Sequence, residues 1–115
     1  MMKTAKTKKS NFVLHFLEKE NDLNKILRDR ESRTDKSYLL FTSLWDEPSR
    51  ILVNKLKDKY HDMEEGIPVY VLESFSMPHS FVIFNTTKLP HLVELNRNKV
   101  FSWDYLPTVY ARLGI

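Results

Sequence analysis

A single α/β domain built on a five-stranded mixed sheet is the fold class this chain predicts, and three observations carry it. Apolar segments of strand length alternate with segments of helical period. Residues 38–42 are almost uniformly apolar, as a central strand covered on both faces must be. At 115 residues with no cysteine, one hydrophobic core has to hold the chain, without disulfides or thiolate metal sites.

Residues 1–10 are small, polar and basic, with Lys3, Lys6, Lys8 and Lys9 and no acid, and are expected to be a flexible tail. The whole chain carries 18 basic and 15 acidic side chains, so this tail supplies the basic surplus and residues 11–115 are nearly neutral. A general nucleic-acid-binding face is therefore not indicated. The apolar run behind the tail is broken by His15 and ended by Glu18-Lys19-Glu20, unlike a signal peptide. No run approaches the ~20 residues that span a bilayer, and the expected location is cytoplasmic.

Residues 12–17 form the first strand. Asp22 is the expected N-cap of a helix carrying Leu23, Ile26 and Leu27 at helical spacing, followed by a polar loop over residues 28–36. After the central strand, Asp46 is placed to cap a second helix, with Glu47 and Pro48 in its first turn. Leu52, Leu56, Tyr60 and Met63 make its apolar stripe, and Gly66 is its expected terminator. Residues 67–72 are a β-branched strand. Phe81-Val82-Ile83-Phe84 is expected to be another, returned antiparallel by residues 92–95. The Asn96-Arg97-Asn98-Lys99 loop precedes a last helix starting at Ser102 or Asp104, with Pro107 in its early turns and Gly114 at its end.

Trp45-Asp46-Glu47-Pro48-Ser49-Arg50, directly after the central strand, resembles the thioredoxin motif Trp-Cys-Gly-Pro-Cys-Lys with both cysteines replaced. Met77-Pro78, ahead of the 81–84 run, resembles the cis-proline that opens a thioredoxin strand. The resemblance covers residues 11–115 and implies a thioredoxin-like αβα sandwich in which the helix between the third and fourth strands is missing. Residues 73–77 reach roughly 17 Å when extended, enough to link strands whose ends lie about 10 Å apart. One sheet face is then covered only by the first helix. The uncovered side is either an interface or is filled by the tail or the 28–36 loop.

In thioredoxins the motif's first cysteine is a thiolate stabilised at a helix N-terminus. Asp46 keeps the charge there and loses the nucleophile, and a serine hydroxyl at position 49 without a base is inert. A redox-inactive, non-enzymatic member is implied. By the resemblance, Met77 presents an accessible backbone edge at Pro78, flanked by Trp45, Asp46, Glu47, Pro48, Asn96 and Arg97, where an extended segment of a protein partner pairs. The alternative is a structural subunit of a ribonucleoprotein or other large assembly, with Lys3, Lys6, Lys8 and Lys9 on phosphates.

No cofactor or metal is expected. His15, His61, His79 and His91 fall on four different elements, and two glycines are too few for a phosphate-cradling loop.

Overall fold

The computed structural model describes residues 9–29, 36–97 and 99–115; Lys3, Lys6, Lys8 and most of the loop before Lys36 lie outside them. The elements are β1 (Lys9–Phe16), α1 (Glu20–Asp29), β2 (Ser37–Thr42), α2 (Glu47–Tyr60), β3 (Glu65–Glu73), α3 (Pro78–Ile83), β4 (His91–Asn96), β5 (Lys99–Trp103) and α4 (Leu106–Arg112). The five strands lie in the order β1-β3-β2-β4-β5. Both β1 and β2 run parallel to β3, β4 runs antiparallel to β2, and β5 runs antiparallel to β4.

The expected α/β sandwich with a five-stranded mixed sheet is present, but the helix between the third and fourth strands is not missing. Phe81-Val82-Ile83-Phe84 belongs to α3 and its end rather than to a strand. Only Phe81 and Phe84 pack on the core, while Val82 is 75% and Ile83 55% exposed. That is a helical burial pattern, with Met77, Phe81 and Phe84 on one side. Residues 92–95 accordingly do not return onto an 81–84 strand. They sit inside β4, between β2 and β5. Asn96 pairs with Lys99, with Arg97 at φ 56°, and β5 runs on to Trp103, so the last helix starts at Leu106 rather than at Ser102 or Asp104.

Two cores result. On one face Leu52 and Leu56 of α2, Val109 of α4 and Leu113 just past its end pack over Tyr38, Leu40, Val69 and Val71. On the other, Leu23 and Ile26 of α1 and Met77 pack over Leu39, Phe41, Leu72 and Val93. Each fully buried leucine contributes about 1.5–3 kcal/mol of apolar burial. The face expected to lie open is covered by α1 and α3 together.

Two buried polar groups show how the core tolerates them. Tyr38 Oη donates to Glu94 Oε1 at 3.0 Å, and the phenol is pushed up to about 12, first by burial and then by this carboxylate. Tyr60 Oη donates to the Leu113 carbonyl at 2.9 Å and fixes the end of α4. Gly114 follows at φ 73°, where a Cβ would meet Tyr60 Oη at 2.7 Å, so this glycine is required. Gly66 ends no helix; α2 stops at Tyr60 and Gly66 lies within β3.

Candidate functional site: the loops at the carboxyl end of the sheet

The start of α2 is built as the sequence predicts. Asp46 is the N-cap, and its Oδ2 accepts from the Ser49 amide at 3.0 Å and the Ser49 hydroxyl at 2.7 Å. Pro48 occupies the first turn, where its missing N–H costs nothing. Ser49 is fully buried and its hydroxyl is committed to Asp46, so it offers no nucleophile.

The turn ahead of this cap is pinned from β3. Glu73 Oε2 accepts from the Leu44 amide at 3.0 Å, and its Oε1 accepts from Phe75 at 2.8 Å and Ser76 at 3.2 Å. One carboxylate thus ties the β2–α2 turn to the β3–α3 turn. The Trp45 amide donates to Ser43 Oγ at 3.2 Å. The backbone is held while the side chains face water: Trp45 is 86%, Phe75 80% and Leu44 65% exposed. Large apolar groups presented together on a braced loop mark an interaction surface more than a folding requirement.

Met77 and Pro78 are not the edge that the sequence suggested. Met77 is fully buried against the α1 side of the sheet, its amide donates to the Glu73 carbonyl at 3.0 Å, and it is the N-cap residue of α3. Pro78 stands in the first turn of that helix. A methionine side chain cannot cap, and Glu20 of α1 does so instead. Glu20 Oε2 accepts from the His79 amide at 2.9 Å, and Oε1 accepts from the Ser80 hydroxyl.

The cis proline is Pro90, after Leu89. Phe41 pairs with His91, so continuing the register brings Pro90 beside Thr42 and Leu89 to the turn that leads into Trp45. Leu89 is half-buried and packs on the α1-side core.

Asn96 and Arg97 do not flank this site. Leu95 pairs with Ser37 at the opposite end of β2, about 17 Å from Pro90 along the strand. The flank is formed by Asp104 and Tyr105, because Trp103 pairs with Leu92 at the near end. His91, Ser102, Trp103, Asp104 and Tyr105 line a shallow cleft of about 260 Å³ there. The His91 ring is held below its usual range by burial, partly opposed by Asp104, and its Nδ1 has no protein partner among the described residues. Leu89, Pro90 and Tyr105 were missed from sequence, although the strand signal of Leu92, Val93 and Leu95 after Pro90 was available.

Among the described residues no group of three or more His, Asp or Glu side chains could hold a metal ion, and no helix is long and apolar enough to cross a membrane.

The sheet order, its two helix layers and the capped helix after β2 define a thioredoxin-like fold. No family model matches the sequence, and no curated protein matches it. Among solved structures the chain is similar to thioredoxin NaTrxh from Nicotiana alata, with TM-score 0.67, 11% identity and 96% of each chain covered. It is similar to thioredoxin O2 from Arabidopsis thaliana, with TM-score 0.62, 21% identity, and 90% of this chain and 95% of that one covered. Thioredoxin from Schistosoma mansoni gives TM-score 0.67 and 15% identity over 89% of this chain and 94% of that one. At these identities the likeness is one of fold. With no cysteine, thioredoxin-type dithiol exchange is closed to this chain.

Proposed function

We propose that this chain is a non-catalytic, thioredoxin-like protein-binding module whose partner docks on the edge formed by Trp45 and Leu89. The observation that carries the reading is Trp45 itself, 86% exposed on a turn that Glu73 and Ser43 hold in place. An exposed tryptophan on a braced backbone leaves only its own side chain to order on binding and is a frequent hot spot. Leu89, just ahead of β4, takes the position that the resemblance assigned to Met77, with its backbone beside the same turn. An extended partner segment there needs only main-chain pairing and an apolar wall, neither of which requires a cysteine. Asp46 and Glu47 place acidic groups at the rim, which favours basic or neutral partner segments.

The test is affinity capture from the native host with the wild-type chain and with Trp45→Ala. Because Trp45 is so exposed, the substitution changes folding stability by no more than about 0.5 kcal/mol. The expected outcome is a reproducible partner whose affinity falls by about 2 kcal/mol, roughly thirtyfold. A partner retained in full by Trp45→Ala contradicts the edge. Retention lost only on salt or on removing residues 1–8 favours the assembly-subunit reading with a nucleic-acid-contacting tail.

A further inference from the structure

The topology leaves one region of the sheet uncovered on the α2 side. After β1 and again after β3, the chain turns to the opposite face to build α1 and α3. Only the first half of α2 therefore stands over the carboxyl ends of these two strands. A groove of about 350 Å³ opens beneath it, a size within the range of small-molecule sites. It lies at the carboxyl ends of parallel strands, where open α/β sheets bind ligands.

The lining has two parts. The floor is apolar: Phe16 and Val71 from the strands and Val53 from α2, with Leu44 at one end. The polar atoms near that floor are already satisfied by the protein. Thr42 Oγ1 donates to the Leu72 carbonyl, Ser43 Oγ accepts from Trp45, Ser49 is bound to Asp46, and both Glu73 oxygens accept backbone amides. The mouth carries Arg50, Asn54 and Lys57, at i, i+4 and i+7 of α2, so the two cations stand about 10 Å apart along the helix on one face. Among the described residues neither cation forms an ion pair. Lys57 instead lies over the Phe16 ring at 5.2 Å.

We propose that this groove binds a small amphipathic anion, with an apolar body on the Phe16–Val53–Val71 floor and a carboxylate head between Arg50 and Lys57. The floor has no unsatisfied polar atom to reward a polar body, whereas the mouth offers donors and positive charge. A planar carboxylate matches the guanidinium fork of Arg50. A phosphate is less suited, because the α2 amide at Ser49 that would serve it is already taken by Asp46. The groove borders the Trp45 turn through Ser43 and Leu44 but includes neither Trp45 nor Leu89, and it does not depend on the protein-binding reading.

The experiment titrates isotopically labelled full-length chain with sodium decanoate below its micelle-forming concentration, following methyl signals by NMR. Acetate serves as the head alone and 1-decanol as the body alone. Decanoate should shift the Val53 and Val71 methyls saturably, while acetate and 1-decanol leave them unchanged at equal concentration. Arg50→Gln with Lys57→Gln, both exposed and so compatible with folding, should weaken decanoate by at least about tenfold. Val53→Phe, checked for a native spectrum, should fill the floor and abolish the shifts. Trp45→Ala should leave the decanoate titration as in wild type even where partner capture is lost. The proposal is overturned by the absence of saturable shifts, by shifts centred on the Leu89 methyls, by equal binding of 1-decanol, or by a double variant that binds normally. Shifts of the same methyls with a protein partner and none with decanoate would assign the groove to a peptide and overturn it as well.

Discussion

Met77-Pro78 and Leu89-Pro90 are nearly the same words in sequence: a bulky apolar residue, a proline, a histidine, then a short apolar run. The structure uses them oppositely. Pro78 starts a helix whose inward residues recur at helical spacing and whose outward residues, Val82 and Ile83, are exposed. Pro90 precedes a strand in which five consecutive residues, His91 to Leu95, are buried between neighbours on both sides. The proline does not decide between these outcomes. The residues after it do, because β4 lies between two helix layers, with Leu92 in one core and Val93 and Leu95 in the other, whereas a surface helix needs only one apolar stripe.

The comparison breaks most visibly at the residue before each proline. Met77→Asp puts an unpaired charge into a fully buried site and should destabilise the domain by about 3 kcal/mol or more, measured by urea unfolding. Leu89→Ala, at a half-buried site, should cost about 1 kcal/mol and leave the fold intact. Equal tolerance at both positions would mean that Met77 is not in the core.

A second effect separates the two prolines by their supports. A helix after Pro78 needs its amides capped, and Glu20 provides this from α1. Glu20→Ala should destabilise by about 1–2 kcal/mol and speed hydrogen exchange in residues 78–84 ahead of the rest. Unchanged exchange there would mean that the carboxylate contributes nothing to α3.

The smallest effect lies next to Pro90. Burial holds His91 below its usual range, so the unfolded chain takes up a proton before the folded one. Stability from this residue is present above pH ~6.5 and is lost as pH falls below that value. His91→Gln should flatten this acid-side decline. A variant with the same pH profile as wild type would show that His91 does not carry it.

These contrasts also explain what was legible. Residues 38–42 were readable from their uniform apolarity directly ahead of a helix cap, and the Asp46-capped helix because it is long, periodic and capped by its own side chain. Phe81-Val82-Ile83-Phe84 was not, since four apolar residues are too few to show a period and are β-branched or aromatic, which favours a strand. Its cap comes from Glu20, nearly sixty residues away, and leaves no local signal. Once α3 is misread, the expected hairpin shifts by one strand, and the predicted site moves with it. Trp45, Asp46, Glu47 and Pro48 stay at the carboxyl end of the sheet, whereas Met77 falls into the core and Asn96 and Arg97 to the far end.

The central claim is that a partner docks at the Trp45–Leu89 edge. The most direct measurement replaces single residues with a photoreactive phenylalanine analogue and identifies the crosslinked product in the native host. Placed at Leu89 or Tyr105, the analogue should crosslink the same protein that Trp45→Ala fails to capture, and placed at Arg97 or Val82 it should not. Crosslinking from Arg97 or Val82, with none from Leu89 or Tyr105, would contradict the account.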